Sequence, residues 1–417
     1  MFEHGASAKF KKHAIGIIIL GCITMYFSSC LVTDAMNVLQ PIFVERYGWE
    51  YSKLSMPITI GGYVLIVLSF LYSTIMIKNG TRIFGIVNYI SIAIGSLLIA
   101  LSYDMGEKAY LYYFIGVFLS KLSTLAIQMM LFQLCASWFN KTRGRILGIV
   151  TMAAPLNSAT SVTLMTLGNK TFGFKVTYII IAVIMAATAV LTYFYAITDP
   201  REMGLTPDGI KDETQSENKN IEKPKLTTKE ILTTPDTWKL IITFGLFSGT
   251  IGTIMGFFIT RMTEVNVSTP TALTILSVAS ILGIPVSYLF GWIDDKFGTI
   301  IACRILGICY VLMMLCFYFG NKDNFFMIVG AAIGMAAMTG GTPNLHPSAI
   351  MRVFGAVEYQ NANRYIALGI SLISANGMQL MSRILDSTGS LDMGYIVFCI
   401  LSVIATISIW TAKERQS

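Results

Sequence analysis

Charge is what this 417-residue chain has least of. Asp, Glu, Lys and Arg together make up 13% of it, whereas a water-soluble globular chain carries roughly 25%. That deficit excludes an ordinary string of soluble domains. Histidine is scarce as well: His4, His13 and His346 are too few and too scattered to build a histidine-rich metal site. Cys22, Cys30, Cys135, Cys303, Cys309, Cys316 and Cys399 all fall inside apolar runs without paired spacing, which excludes a disulfide framework or a zinc cluster. There is no GxxxxGK[ST] phosphate loop, no nucleophile beside a base, and no soluble stretch to house either. An ATP-driven pump, a membrane enzyme and a bound cofactor are therefore not expected.

What the chain has in abundance is hydrocarbon. Hydrophobic residues account for 54%, in runs long enough to cross a bilayer as helices. Twelve such spans are expected, near 14–39, 54–77, 83–102, 109–137, 145–167, 175–197, 238–260, 271–293, 300–319, 324–345, 358–382 and 391–411. Lys9, Lys11 and Lys12 precede the first run, which has spanning length and no convincing cleavage site, so it reads as an uncleaved first span. Between the sixth and seventh runs lies "DPREMGLTPDGIKDETQSENKNIEKPKLTTKE", too polar to pack a core. The expected organisation is a bundle of six helices over 1–198, a linker over 199–236, and a second six-helix bundle over 237–417. Most of the 30 Lys and Arg fall in segments that share a side with the N-terminus and the linker. The positive-inside bias then puts both termini in the cytoplasm of a cell whose inner membrane the chain spans. It also accounts for the net charge of +7 without a nucleic-acid partner.

An internal repeat supports the two-bundle layout. "STIMIKNGTR" begins at residue 73 and "GWIDDKFGTI" at residue 291. In these segments Lys78 and Gly80 stand in register with Lys296 and Gly298; the first copy keeps Arg82 and the second adds Gly291 and Asp295. This double motif resembles the signature loop of the major facilitator superfamily. The resemblance implies an all-α membrane protein of twelve transmembrane helices in two pseudo-symmetric bundles, working as a monomer by alternating access. In that loop the glycines let helix ends approach, and the acid and bases make charge contacts between helices. "WFNKTRGRILGI" at 138–149, "DPREMGLTPDG" at 199–209 and "GGTPNLHPSAIMRVFG" at 340–355 are similar to the oxalate/formate antiporter-like group. The chain departs from that group where the oxalate-type members carry two cations: Ser287 and Ile370 stand at those positions. A two-cation clamp for oxalate is thereby lost.

Polar groups inside the spans are the candidates for substrate contact. Lys121 lies in "VFLSKLSTLAIQMML", about twelve residues and ~18 Å from the nearest headgroups, beyond the reach of its stem. A lysine at a helix centre costs roughly 2.5–3.5 kcal/mol on insertion scales. Thr124 and Gln128 share its face, so that face turns away from lipid, either to a cavity or to a partner helix. Asp34 is the single carboxylate expected inside a span; coupling to protons, a structural tie to Lys121 and a place at the outer mouth are all open to it. Asn157 follows Pro155 in a span that can kink. Arg364, Asn376 and Gln379 suggest a polar track along span eleven, and a snorkelling or gating role competes for Arg364. His346 is expected at the inner end of span ten as a gate contact.

This arrangement predicts a secondary transporter for a small organic anion, a mono- or dicarboxylate, with exchange against a counter-anion or symport with protons. Lys121 would be the principal counter-ion, with Thr124, Gln128, Asn157, Arg364, Asn376 and Gln379 completing the site. The rival readings are efflux of amphipathic drugs or steroid-like compounds, with Lys121 tied to Asp34, and a transporter-like receptor.

Overall fold

Lipid offers a backbone no hydrogen-bonding partner, so each crossing segment must satisfy its own amides, and an α-helix does so within itself. The computed structural model describes residues 7–139, 142–209 and 226–412, and every regular element among them is a helix. Linker residues 210–225, Asn140 and Lys141 of the fourth-to-fifth connection, His4 and residues 413–417 lie outside the described set.

Eleven helices among the described residues are long and apolar enough to cross a membrane. They are Ala8–Tyr47, Tyr51–Ser69, Lys78–Ser102, Gly106–Trp138, Ile146–Phe172 and Phe174–Tyr195, then Pro235–Glu264, Thr269–Phe297, Thr299–Phe319, Phe325–Gly355 and Asp392–Trp410. These correspond to the expected spans one to ten and twelve. The eleventh, expected as one run over 358–382, is two helical pieces, one ending at Ser374 and the other running Gly377–Thr388. The break coincides with a close backbone crossing. A Cβ on Gly377 would lie 2.6 Å from the Gly249 carbonyl oxygen and 2.7 Å from Thr253 Oγ1, so only glycine fits against span seven.

By contact the chain forms two compact units, residues 1–38 with 60–217 and residues 39–59 with 218–417. The short hairpin Leu39–Thr59 joins the second unit, a membership that a boundary at residue 198 does not anticipate.

In the first unit, spans three and four meet backbone to backbone: a Cβ on Gly95 would lie 2.7 Å from the Gly116 oxygen. The "DPREMGLTPDG" segment closes the end of this bundle that carries the N-terminus. Trp138 Nε1 donates to the Ile197 carbonyl at 2.7 Å, Thr142 Oγ1 donates to Asp208 Oδ1 at 2.7 Å, and His13 stacks on Trp138 at 4.5 Å. What reads as the start of a linker is therefore a packed cap on the first unit up to residue 209.

In the second unit, spans eight and ten cross equally closely, because a Cβ on Gly340 would collide with the Gly283 oxygen and approach Ser287 N at 2.8 Å. Arg261, 2% exposed, ties the ends of spans seven, nine and twelve together. Its guanidinium donates to the carbonyls of Phe317 (2.7 Å from Nη2) and Tyr318 (3.2 Å), to Glu264 Oε2 (3.0 Å) and to Asp392 Oδ1 (2.7 Å). Those carbonyls end span nine, where the last turn of a helix leaves oxygens without partners. Arg261 acts as their cap.

Candidate functional site

The signature loops owe their shape to glycine more than to charge. Gly80 has φ 77° and ψ 161°, and Gly298 has φ 93° and ψ 154°, a region essentially closed to residues with a Cβ. Each starts the next helix in a single residue. Directly after each comes a buried threonine: Thr81 donates to the Ala196 carbonyl at 3.0 Å, and Thr299 donates to Asp294 Oδ1. The charge contacts expected of the loop are not made among the described residues. Asp295 and Lys78 are exposed, Lys296 lies over the Trp292 ring at 4.8 Å, and Arg82 lies over Tyr193 at 5.5 Å. Nothing lies within 4 Å of a Cβ on Gly291, so it serves no close approach. Sequence reading chose Asp295 and passed over Asp294, Thr81 and Thr299; the register of the two threonines was the available signal.

Asp34 is buried within the first unit. It closes a π-helical turn, Cys30–Asp34, in which the Ala35 amide reaches back to the Cys30 carbonyl at 2.9 Å. Such turns widen a helix by one residue and often mark functional positions. The carboxylate, 3% exposed, accepts from Asn157 Nδ2 at 2.5 Å and from Ser161 Oγ at 3.4 Å. Asn157 is fully buried, and its own oxygen has no partner.

Lys121 is half-buried on span four, Ala109–Trp138. Its stem lies against Gly61 of span two, where a Cβ would come within 2.8 Å of Lys121 Cγ. No described carboxylate pairs with its ammonium, and no described side chain hydrogen-bonds it. The tie between Lys121 and Asp34 considered from the sequence is absent among the described residues; the Asp34 carboxylate takes its hydrogen bonds from Asn157 and Ser161 instead. Thr124 is buried and spends its hydroxyl on the Lys121 carbonyl at 3.1 Å. Gln128 is half-buried one turn further along. The first unit therefore holds, at separate places, a cation without a described partner beside a glycine that makes room for its stem, and a buried acid with amide and hydroxyl partners.

The other chosen residues sit in the second unit. His346 is half-buried against the Phe244 ring at 5.1 Å with Nε2 unpartnered. Arg364 is exposed on span eleven. Asn376 stands at the break, donating to the Leu372 carbonyl at 2.8 Å. Gln379 is buried and accepts from Ser55 Oγ of the Leu39–Thr59 hairpin at 2.9 Å.

Comparison with known proteins fits this geometry. Residues 22–355 match the family model described as Major Facilitator Superfamily. No curated protein sequence matches the chain. Among solved structures, the nucleoside transporter NupG, as its D323A mutant, is similar with a TM-score of 0.72 at 12% identity, over 94% of this chain and 99% of that one. A bacterial homolog of the human lysosomal transporter Spinster, captured inward-facing and occupied, is similar with a TM-score of 0.63 at 14% identity, over 97% of each chain. At such identities the likeness is one of fold. The family match spans most of the chain, including both signature loops, so this protein is a multi-pass membrane transporter of the Major Facilitator Superfamily.

Proposed function

We propose that the protein carries a small organic anion, a mono- or dicarboxylate, with Lys121 as its counter-ion. The observation that supports this reading is Lys121, whose stem lies against Gly61 in the first unit and whose ammonium has no described partner. A cation kept in hydrocarbon without a protein carboxylate is costly, and an incoming anion removes that cost. Gln128, two turns along the same face, offers an amide donor beside it, and Thr124 can do so only by releasing the Lys121 carbonyl. The loops that resemble the oxalate/formate antiporter-like group favour the same substrate class, while Ser287 and Ile370 favour a monocarboxylate over oxalate itself. Asp34, a buried acid elsewhere in the first unit, is the coupling group if the anion moves with a proton; exchange against a second anion needs no such group. Both termini face the cytoplasm in this reading, from the distribution of Lys and Arg.

Two rivals make different demands. An efflux carrier for amphipathic compounds was expected to tie Lys121 to Asp34, and that ion pair is not among the described contacts. A nucleoside carrier has the support of fold likeness alone. A thermal-shift panel on purified protein separates the three. Formate, acetate and succinate should each raise the melting temperature in the parent and fail to do so in Lys121→Gln. A ligand at a hundred times its Kd stabilises by about 2.7 kcal/mol, which such a scan resolves. Stabilisation by uridine or by a steroid, with none by the carboxylates, overturns the proposal.

A further inference from the structure

The hairpin Leu39–Thr59 leaves the first unit and returns to it, yet it packs with the second. Three described side-chain bonds tie it to the helix Gly377–Thr388. Asp386 Oδ1 accepts from the Tyr51 amide and Oδ2 from the Ser52 amide, each at 2.8 Å, and Ser55 Oγ donates to Gln379 Oε1 at 2.9 Å. Tyr51 and Ser52 are the first two residues of the helix that begins span two, so their amides have no partner within that helix. The carboxylate of a distant helix, Gly377–Thr388, therefore serves as the cap, with its negative charge at the positive end of the helix dipole. A cavity of about 440 Å³ lies beside this contact, lined by Pro41, Tyr51, Thr260, Glu264, Asp386 and Gly389 among others. The capped end of the hairpin thus borders open space.

Both arms of the hairpin carry helix-bending residues at or near their feet. On the entering side stand the π-helical turn Cys30–Asp34 and Pro41 within its helix. On the returning side stand Pro57 and the pair Gly61–Gly62. Prolines and π-turns are the usual sites at which a helix changes direction. The same two bases hold the candidate binding groups, since Asp34 closes the π-turn and Gly61 takes the stem of Lys121.

From this geometry we propose that Asp386 is a positioning residue of the transport cycle: it latches the Leu39–Thr59 hairpin shut by capping the helix of span two, and the latch releases when spans one and two bend at their bases. Opening exchanges two carboxylate–amide bonds for water and uncovers Ser55 and Gln379. The link to solute binding rests on the assignment of Lys121 as counter-ion. The latch itself does not.

The test reads the latch without any solute. Ser55 is fully buried, so a Ser55→Cys protein in sealed vesicles should react slowly with a membrane-impermeant maleimide applied from the side opposite the N-terminus. Asp386→Ala should speed that labelling about tenfold, the size expected from losing a helix cap. Asp386→Glu should restore slow labelling, which a purely structural loss at this position would not do. Lys121→Gln should leave the rate unchanged, so that failure of the substrate assignment and failure of the latch are told apart. A Ser52→Cys, Asp386→Cys pair, cross-linked by oxidation, should hold labelling of Ser55→Cys at or below the parent rate and recover on reduction. Equal labelling rates for Asp386, Asp386→Ala and the oxidised pair overturn the proposal, as does fast labelling of the parent.

Discussion

Replacing Arg261 by methionine should destabilise the second unit by about 3 kcal/mol. The arginine is 2% exposed and its guanidinium reaches four acceptors on three spans. Removing one partner of a buried ion pair costs roughly 3–5 kcal/mol. Here the two carboxylates are partly wet, Glu264 at 26% and Asp392 at 54% exposed, so much of their share returns through water. The Phe317 carbonyl, which takes two of the guanidinium bonds in a buried setting, gains no such relief. It lies in the last turn of span nine, and a buried acceptor left unmet costs about 1–3 kcal/mol. Methionine preserves the packing volume against Tyr395, whose ring lies 5.0 Å from the guanidinium, so the loss is chiefly polar. Thermal unfolding in detergent should show a clear fall in melting temperature for Arg261→Met and a smaller one for Arg261→Lys, because an ammonium reaches some of the four acceptors. Asp392→Asn alone should cost well under 1 kcal/mol. A melting temperature unchanged in Arg261→Met would refute the claim that this side chain caps span nine.

Further outcomes follow from the same structure. Gly298→Ala and Gly80→Ala should each cost about 1–3 kcal/mol, because their backbone angles exclude a Cβ; Gly291→Ala, with nothing within 4 Å of the added carbon, should be neutral or slightly stabilising, and equal melting temperatures for all three would contradict this. Gly61→Val should displace the Lys121 stem and weaken carboxylate binding as Lys121→Gln does, with the fold intact by circular dichroism; carboxylate affinity unchanged in Gly61→Val would mean that Gly61 does not set the place of Lys121. Glu230 lies in the short helix Thr228–Thr233, where hydrogen bonds from the Thr227 amide and hydroxyl hold its carboxyl below the ordinary value of 4.5. A lowered carboxylate contributes stability that is present above its ordinary value and lost as the pH falls through the lowered one. Amide exchange over 228–233 should therefore quicken only below about pH 4.5, and Glu230→Gln should abolish that dependence.

Much of the fold was legible because its dominant cause is local: a run of apolar residues long enough to cross a bilayer must be a helix. The span that broke this pattern shows the limit. Nothing in the hydropathy of "SLISANGMQL" marks the interruption at Ala375–Asn376, which coincides with the contact of Gly377 on Gly249 across two helices. Arg261 was hidden for a related reason. It ends an apolar run and reads as a loop cation, while its partners come from residues 317, 318 and 392, far along the chain. The binding groups were half legible. A lysine in the middle of a span announces itself by its cost, so Lys121 was found. That Asn157 and Ser161 attend Asp34, leaving Lys121 without a carboxylate, depends on how three spans pack. Gln379 was chosen as a cavity residue on helical spacing; its partner proved to be Ser55. Composition and period fix which face a residue takes, and tertiary packing decides what it meets there.

The central claim is that Lys121 is the counter-ion of a transported anion. Counterflow of radiolabelled acetate and formate into proteoliposomes tests it most directly, with parent, Lys121→Arg and Lys121→Gln compared at equal reconstituted amount and equal melting temperature. Uptake that is saturable in the parent, retained in part by Lys121→Arg and abolished in Lys121→Gln is the predicted result. Undiminished counterflow in Lys121→Gln would contradict it.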